Sequence, residues 1–292
     1  MILDSSEVRT QEVKQWQGLH LLYFPLSSCS QKVRILLKEK RIPFTPHVIN
    51  LTRGEQTASW FLGINPRGVV PVLVDDGQVH IESNHILCHL DQTRPSDQPS
   101  LMPQDEGEQQ EANALLDRED KMHEHLRVIT MKYLAPTRMM RKSEQELSAY
   151  AQNGQSNVYR QQQIDWWREF SNNGVSDQQL NEAILAFHES FKALNAILKY
   201  QLFLLSGRIT VVDIGWFISI HRLVLAGYPL HKYPELNAYY RNLLHRPSFR
   251  QEVSAGSLPI RLAGWFTRKI KRLTGARLEV AYLALSEIRV SW

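Results

Sequence analysis

Every segment of this 292-residue chain that reads as a β-strand lies before residue 82. "LHLLYF" (19–24) has the short apolar run of a buried strand, and "TPHVINL" (45–51) reads as a second. Between them, Val33, Leu36 and Leu37 repeat at i, i+3 and i+4, so a helix is predicted from about Ser28 to Lys40. "VPVLVDDGQVHIES" (70–83) is two β-rich runs around Asp75-Asp76-Gly77, the pattern of a hairpin. Ser83 then stands where an N-cap would, before "NHILCHL". The first 92 residues thus give β-α-β, a loop or helix, then β-β-α: a small mixed α/β domain.

"TRPSDQPSLMPQD" (93–105) carries three prolines and no apolar period, and reads as a linker. Beyond it the periods are helical, over about 106–134, 139–152, 158–171, 177–200, 210–226 and 234–245. The clearest stripe is Ile184, Phe187, Phe191, Leu194 and Leu198. Thr210-Val-Val-Asp213 has capping-box spacing and marks a helix start. The Gln- and Asn-rich stretch 139–176 reads as an insertion between longer helices. The expected organisation is an N-terminal extension (1–17), an α/β domain (18–92), a linker (93–105), an all-helical domain (106–256) and a basic extension (257–292).

The net charge is +4, unevenly placed. From Ser257 onward seven Arg and Lys oppose two Glu, which leaves the rest of the chain near −1. A near-neutral body argues against general nucleic-acid binding. Cys29 and Cys88, the two cysteines, are too few for a disulfide framework, so a reducing compartment is expected. The polar, mixed-charge start "MILDSSEVRTQEVKQW" lacks the pattern of a signal or transit peptide, and no apolar run reaches about 18 residues.

Three pieces of the first domain carry chemistry: Ser27-Ser28-Cys29 at a helix start, "NPRGVVP" (65–71) entering the hairpin, and Glu82-Ser83 at the next helix start. Together with the helical second half they resemble the glutathione transferases, a thioredoxin-like domain followed by an all-α domain. "SSCSQKVRILL" is similar to the zeta class, the maleylacetoacetate isomerases, and to the tetrachlorohydroquinone dehalogenases, in which a cysteine matches Cys29. "NPRGVVPVLVDDG" followed by "IES" is similar to the family's Val-Pro and Glu-Ser pair, and "LSGRITVVDIGWFISIHRLVLAGY" to its N-cap and hydrophobic-staple segment. The insertion and the basic tail resemble the ganglioside-induced differentiation-associated branch. The resemblance runs over about residues 18–255.

The resemblance implies glutathione as co-substrate, a hydrophobic electrophile as acceptor, a homodimer and a cytoplasmic location. It assigns the Val70 backbone, before a cis Pro71, to pairing with the cysteinyl unit of glutathione as an added strand. Glu82 accepts the γ-glutamyl ammonium, and Ser83 with the helix N–H groups holds the α-carboxylate. The sulfur then meets Ser27, Ser28 and Cys29, where the helix dipole and a hydroxyl favour thiolate. A serine there implies conjugation or isomerisation, with Ser27 matching the zeta-class position. Cys29 there implies thiol transfer or reductive dehalogenation. Val69 departs from the polar residue of related sequences, and Lys32 or Arg67 is a candidate to compensate.

His85 and His89 are an i, i+4 pair without a second ligand cluster, and no metal site is expected. Trp166-Trp167 reads as an anchor for the insertion, and Tyr133 and Met139 are candidates for the acceptor site. In the tail, Leu258, Ile260, Leu262, Trp265, Phe266, Ile270 and Leu273 alternate with Arg261, Arg268, Lys269, Lys271 and Arg272. This gives either a final helix packed on the body or peripheral contact with an anionic membrane. The alternative to an enzyme is accordingly a weakly catalytic protein of this fold acting at a membrane or with a partner.

Overall fold

A computed structural model describes residues 1–94, 96–136, 140–153, 158–205 and 207–254, with 269, 278, 279, 281 and 282. The chain divides into two compact units: residues 1–99 with 140–173, and residues 100–139 with 174–292.

The first unit is built on four strands: β1 (Leu19–Tyr23), β2 (Thr45–Val48), β3 (Val72–Asp75) and β4 (Gln78–His80). Their order is β2-β1-β3-β4, with β1 parallel to β2 and antiparallel to β3. β3 is buried at all four positions, as a central strand covered on both faces must be. The β3–β4 turn runs through Asp76 (φ 47°) and Gly77 (φ 82°), the doubly left-handed turn that Asp-Gly favours. Only glycine fits at 77, since a Cβ there would lie 2.3 Å from the Lys14 carbonyl oxygen.

Helix α1 (Ser28–Glu39) buries Val33, Ile35, Leu36 and Leu37. The turn α2 (Ser59–Leu62) buries Phe61 and Leu62, and α3 (Ser83–Thr93) buries Ile86, Leu87 and Leu90. The first 17 residues, expected to be an extension, share this core: Leu3, Val8 and Val13 pack with Phe61, Val74, Val79 and Ile81. Ile2 bridges His80 in antiparallel fashion, and the Leu3 N–H donates to the Val79 carbonyl at 2.9 Å, lengthening the β4 edge.

The insertion also belongs to the first unit. Helices α6 (Glu144–Gln152) and α7 (Val158–Asn173) place Leu147, Tyr150 and Ile164 in a cluster with Leu62, with Trp167 packed against it. A capping box between Ser143 and Glu146 starts α6.

The second unit begins with α4 (Glu106–Lys121) and α5 (His123–Ile129), continued by a π-turn over Thr130–Leu134. The sequence reads this stretch as one helix, and the chain breaks it at Met122. Then follow α8 (Asp177–Ile197), α9 (Val211–Ala226), α10 (Pro234–His245) and α11 (Pro247–Ser254). α9 is buried around almost its whole circumference. The fully buried Asp213 holds its start, accepting from the Thr210 N–H (2.7 Å) and hydroxyl (2.9 Å), the Leu204 N–H (3.0 Å) and the Tyr239 hydroxyl (2.8 Å). Burial raises the Asp213 carboxyl above its ordinary pKa, opposed by these four donors.

Candidate functional site

The antiparallel pairing of β1 with β3 sets Leu22 opposite Val72. Pro71 directly precedes Val72, and Leu22 runs on through Tyr23 and Phe24 into the turn that leads to α1. The sheet register therefore brings the Val70-Pro71 bend to the N-terminus of α1. The Val70-Pro71 peptide bond is cis.

Ser27 is the N-cap of α1. Its Oγ accepts from the Ser30 N–H at 3.3 Å. An accepted bond uses a lone pair and leaves the hydroxyl proton to donate elsewhere, so the cap does not consume the donor of this side chain. Ser28 and Cys29 occupy the first turn, and all three residues are half-buried. Neither cysteine is in a disulfide. Burial, with Asp91 adding to it, pushes the Cys88 thiol up to about 11, which keeps it protonated and poorly nucleophilic.

The bend is braced by Asn65, fully buried and given no role by the sequence reading. Its Nδ2 donates to the Val69 carbonyl (2.9 Å), and its Oδ1 accepts from the Arg67 N–H (3.0 Å). The only local cue was an Asn-Pro pair, a turn signal. The insertion grips the same loop. The Tyr150 hydroxyl donates to the Arg67 carbonyl at 2.9 Å, and Arg160 Nη2 and Nε donate to the Pro66 carbonyl at 2.8 and 3.3 Å. Gly68, at φ 65°, lies so close beneath Tyr150 that a Cβ would meet its hydroxyl oxygen at 2.9 Å.

Glu82, not Ser83, is the N-cap of α3, at φ 67°. Ser83 is the first residue of the helix and is buried. The Glu82 carboxylate forms an ion pair with the Arg67 guanidinium, which also lies over the Tyr159 ring at 5.1 Å. The cation thus sits beside the carboxylate rather than at Val69. Lys32, the other candidate to compensate, is fully buried and presents no surface at the mouth of a groove; a helix-face position in α1 carried no cue to that depth.

His85 is exposed, and His89 Nε2 instead donates to the Asp75 carboxylate at 2.7 Å while the ring stacks on His80. Asp75, His80 and His89 bring ligand atoms within 4.8 Å of one another, yet Asp75 already holds the Arg94 guanidinium as its cation. Trp167 anchors the insertion, as its sequence suggested, and Trp166 stacks on Phe170 with ring planes 8° apart. Tyr133 is buried in the second unit, where burial raises its hydroxyl to about 12. Met139 lies outside the described residues.

Comparison with known proteins fits this geometry. The glutathione S-transferase N-terminal domain matches residues 26–93, and the family's C-terminal domain matches residues 177–242. The chain thus matches the N- and C-terminal domain models of the glutathione S-transferase family, in that order. Glutathione S-transferase Z1 of Arabidopsis thaliana is 39% identical over 89 residues, 30% of this chain and 39% of the relative. Probable maleylacetoacetate isomerase 2 of Drosophila melanogaster is 43% identical over 81 residues, 27% of this chain and 35% of the relative. The matched region therefore spans about two-fifths of these glutathione S-transferase relatives, and it is the zeta-class part of the resemblance that they carry. The β-etherase LigF of Sphingobium sp. strain SYK-6 shares the fold with a TM-score of 0.72 at 24% identity, over 82% of this chain and all of that one.

Proposed function

We propose that this protein is a glutathione-dependent transferase or isomerase whose sulfur is activated by Ser27. The observation that carries the reading is the cis Val70-Pro71 bend set by strand register at the capped start of α1. A peptide thiol paired with the Val70 backbone places its sulfur where the Ser27 hydroxyl still has a proton to donate. Lowering a thiol from about 8.5 to about 6.5 takes roughly 2.7 kcal/mol of thiolate stabilisation. One hydrogen bond to a charged group, roughly 1.5–3 kcal/mol, with the helix dipole supplies that. The thiolate attacks an electrophilic carbon. A leaving group departs in conjugation, and in isomerisation the sulfur leaves again after rotation about the former double bond.

The Arg67–Glu82 pair changes how the γ-glutamyl end is held. That end is a zwitterion, and the pair offers both signs: Glu82 to the ammonium, Arg67 with the Ser83 hydroxyl to the α-carboxylate. The same reading takes the acceptor as a hydrophobic electrophile and the protein as a cytoplasmic homodimer, on the strength of the family resemblance.

The test is retention on immobilised glutathione followed by turnover of a generic aryl halide. Ser27→Ala lowers kcat about 10- to 100-fold, the value of one charged hydrogen bond, while Cys29→Ser retains activity. Abolished turnover in Cys29→Ser with Ser27→Ala unimpaired moves the chemistry to thiol transfer or dehalogenation. No retention of the wild-type chain sinks the glutathione reading altogether.

A further inference from the structure

Two histidines that stand 27 residues apart in the sequence come together on one face of the sheet. β1 and β2 run parallel, with His20 opposite Thr45 and Leu22 opposite His47. His20 and His47 are therefore diagonal neighbours, the second of them on the edge strand. His20 Nδ1 and His47 Nε2 lie 3.0 Å apart. The other ring nitrogen of His20, Nε2, lies 3.0 Å from the Gln17 carbonyl oxygen. A carbonyl only accepts, so Nε2 carries the proton and Nδ1 of the neutral ring presents a bare lone pair. In that arrangement His47 Nε2 donates to it. The Trp16 ring, packed against the core of the unit, stacks on both imidazoles with centroids 4.5 Å away and planes 28° and 9° apart. Both rings are thus held in place before anything binds them, and both are half-buried, within reach of a small ion from solvent.

An imidazole that donates one N–H to a backbone carbonyl and presents its other nitrogen is set as a metal ligand is set. When His47 carries its proton on Nδ1 instead, two lone pairs converge between the rings. At a metal–nitrogen distance of about 2.0 Å, nitrogens 3.0 Å apart subtend roughly 95° at the ion. That is the angle of neighbouring positions in square-planar or tetragonal coordination, the geometry of Cu(II), and it is narrower than the tetrahedral angle of zinc. Cu(II) also has the highest affinity for nitrogen ligands among the divalent first-row ions. Glu12, exposed on the turn Gln11–Gln15 that leads to Trp16, is the acid whose negative charge reaches His47. We infer that His20 and His47 form a chelate for Cu(II), with Trp16 stacked behind it and water in the remaining positions. The ion bridges β1 to the edge strand β2. His20 stands at the start of β1 and Ser27 follows its far end, so the chelate is separate from the candidate site and independent of the glutathione reading.

The experiment titrates the full chain with Cu(II) supplied as its glycine complex, which keeps weak surface sites empty, and records the electron paramagnetic resonance spectrum and the tryptophan emission. One equivalent is expected to bind, with a tetragonal spectrum coupled to two imidazole nitrogens and with quenching of Trp16. His20→Gln and His47→Gln each weaken binding by about tenfold or more. Trp16→Phe retains the ion and loses most of the quenching. The wild-type spectrum decides the matter even where a variant folds poorly: coupling to fewer than two nitrogens, or ligation by sulfur, overturns the inference. No binding from the glycine complex overturns it, as does binding undiminished in both histidine variants.

Discussion

His80 shows how far one residue departs from its ordinary chemistry in this fold. It is 2% exposed, its ring lies 3.8 Å from that of His89 between centroids, and its Nε2 has no hydrogen-bond partner among the described residues. Burial first, then the nearby His89 and the chain's α-ammonium, lower its pKa from 6.5 to about 4. Between those values the unfolded chain holds a proton that the folded chain refuses, so stability rises with pH across that window. The contribution is complete above pH 6.5 and is lost as pH falls toward 4. By pH 5 the loss is about 2 kcal/mol. His80→Phe keeps a stacked ring without a titrating nitrogen. Urea unfolding at pH 7.5 and pH 5 is expected to show the wild-type chain losing about 2 kcal/mol more than this variant. Parallel losses in the two proteins would mean that His80 is not the group responsible. Ser27 makes the complementary point: its hydroxyl oxygen caps α1 by accepting, which leaves its proton available to donate, so the structural and chemical readings of "SSCS" are not rivals.

At the scale of elements, the insertion is a brace for the cis-proline loop. Arg160 is 1% exposed and spends its guanidinium on the backbone carbonyls of Pro66 and Asn153. Arg160→Met removes the guanidinium donors from both half-buried carbonyls and a buried charge from the loop contact, and about 2–4 kcal/mol of stability is expected to go with them. Denaturant unfolding gives the magnitude, and hydrogen exchange gives the location. The Gly68 amide, which donates to the Asn65 carbonyl at 3.0 Å, should exchange faster. Unchanged exchange at Gly68 would make α6 and α7 a loose appendage. The helices themselves were legible, because α8 repeats its apolar residues at helical period over 21 residues, and α9 opens on the Thr210–Asp213 capping box. Eight-residue α11 is too short to show a period. Leu3, Val8 and Val13 are spaced by five, a period of neither helix nor strand, so their place in the core was hidden. The backbone at Glu82, φ 67°, shifted the α3 cap by one residue, and composition carries no trace of such an angle. The three motifs of the candidate site could be read because each sits at an element end with its own local signal. The docking of Arg160 on Pro66 joins residues 94 apart, and nothing local announces it.

For the whole molecule, the division of the chain is not the single boundary at 93–105 that its prolines suggest. The backbone passes between the two units near residues 99, 139 and 173. The basic C-terminal extension is the remaining large feature. Most of its amphipathic stretch, from Leu258 to Arg268 and from Ile270 to Leu273, lies outside the described residues. Among the described residues no helix is long and apolar enough to cross a membrane. Two residues of the extension nevertheless dock firmly in the second unit: Leu278 is fully buried and Tyr282 is 5% exposed. The Tyr282 hydroxyl lies 3.2 Å from both the Tyr233 hydroxyl and His188 Nδ1, and its ring packs edge-on against Tyr228. These contacts favour an extension that completes the helical core. A chain ending at Gly256 removes both anchors. Each buried side chain of this size contributes roughly 1.5–3 kcal/mol, so the second unit should lose about 4 kcal/mol. For about 160 residues that lowers its melting temperature by about 10 °C. Tyr282→Ala in the full chain is expected to account for about half of the fall. A membrane role for the extension requires Leu278 and Tyr282 to be released, so binding to anionic vesicles should then rise in Tyr282→Ala and weaken with salt. Calorimetry of the truncated chain decides the matter: an unchanged melting temperature would mean that the anchors contribute nothing and that the extension is free for a surface.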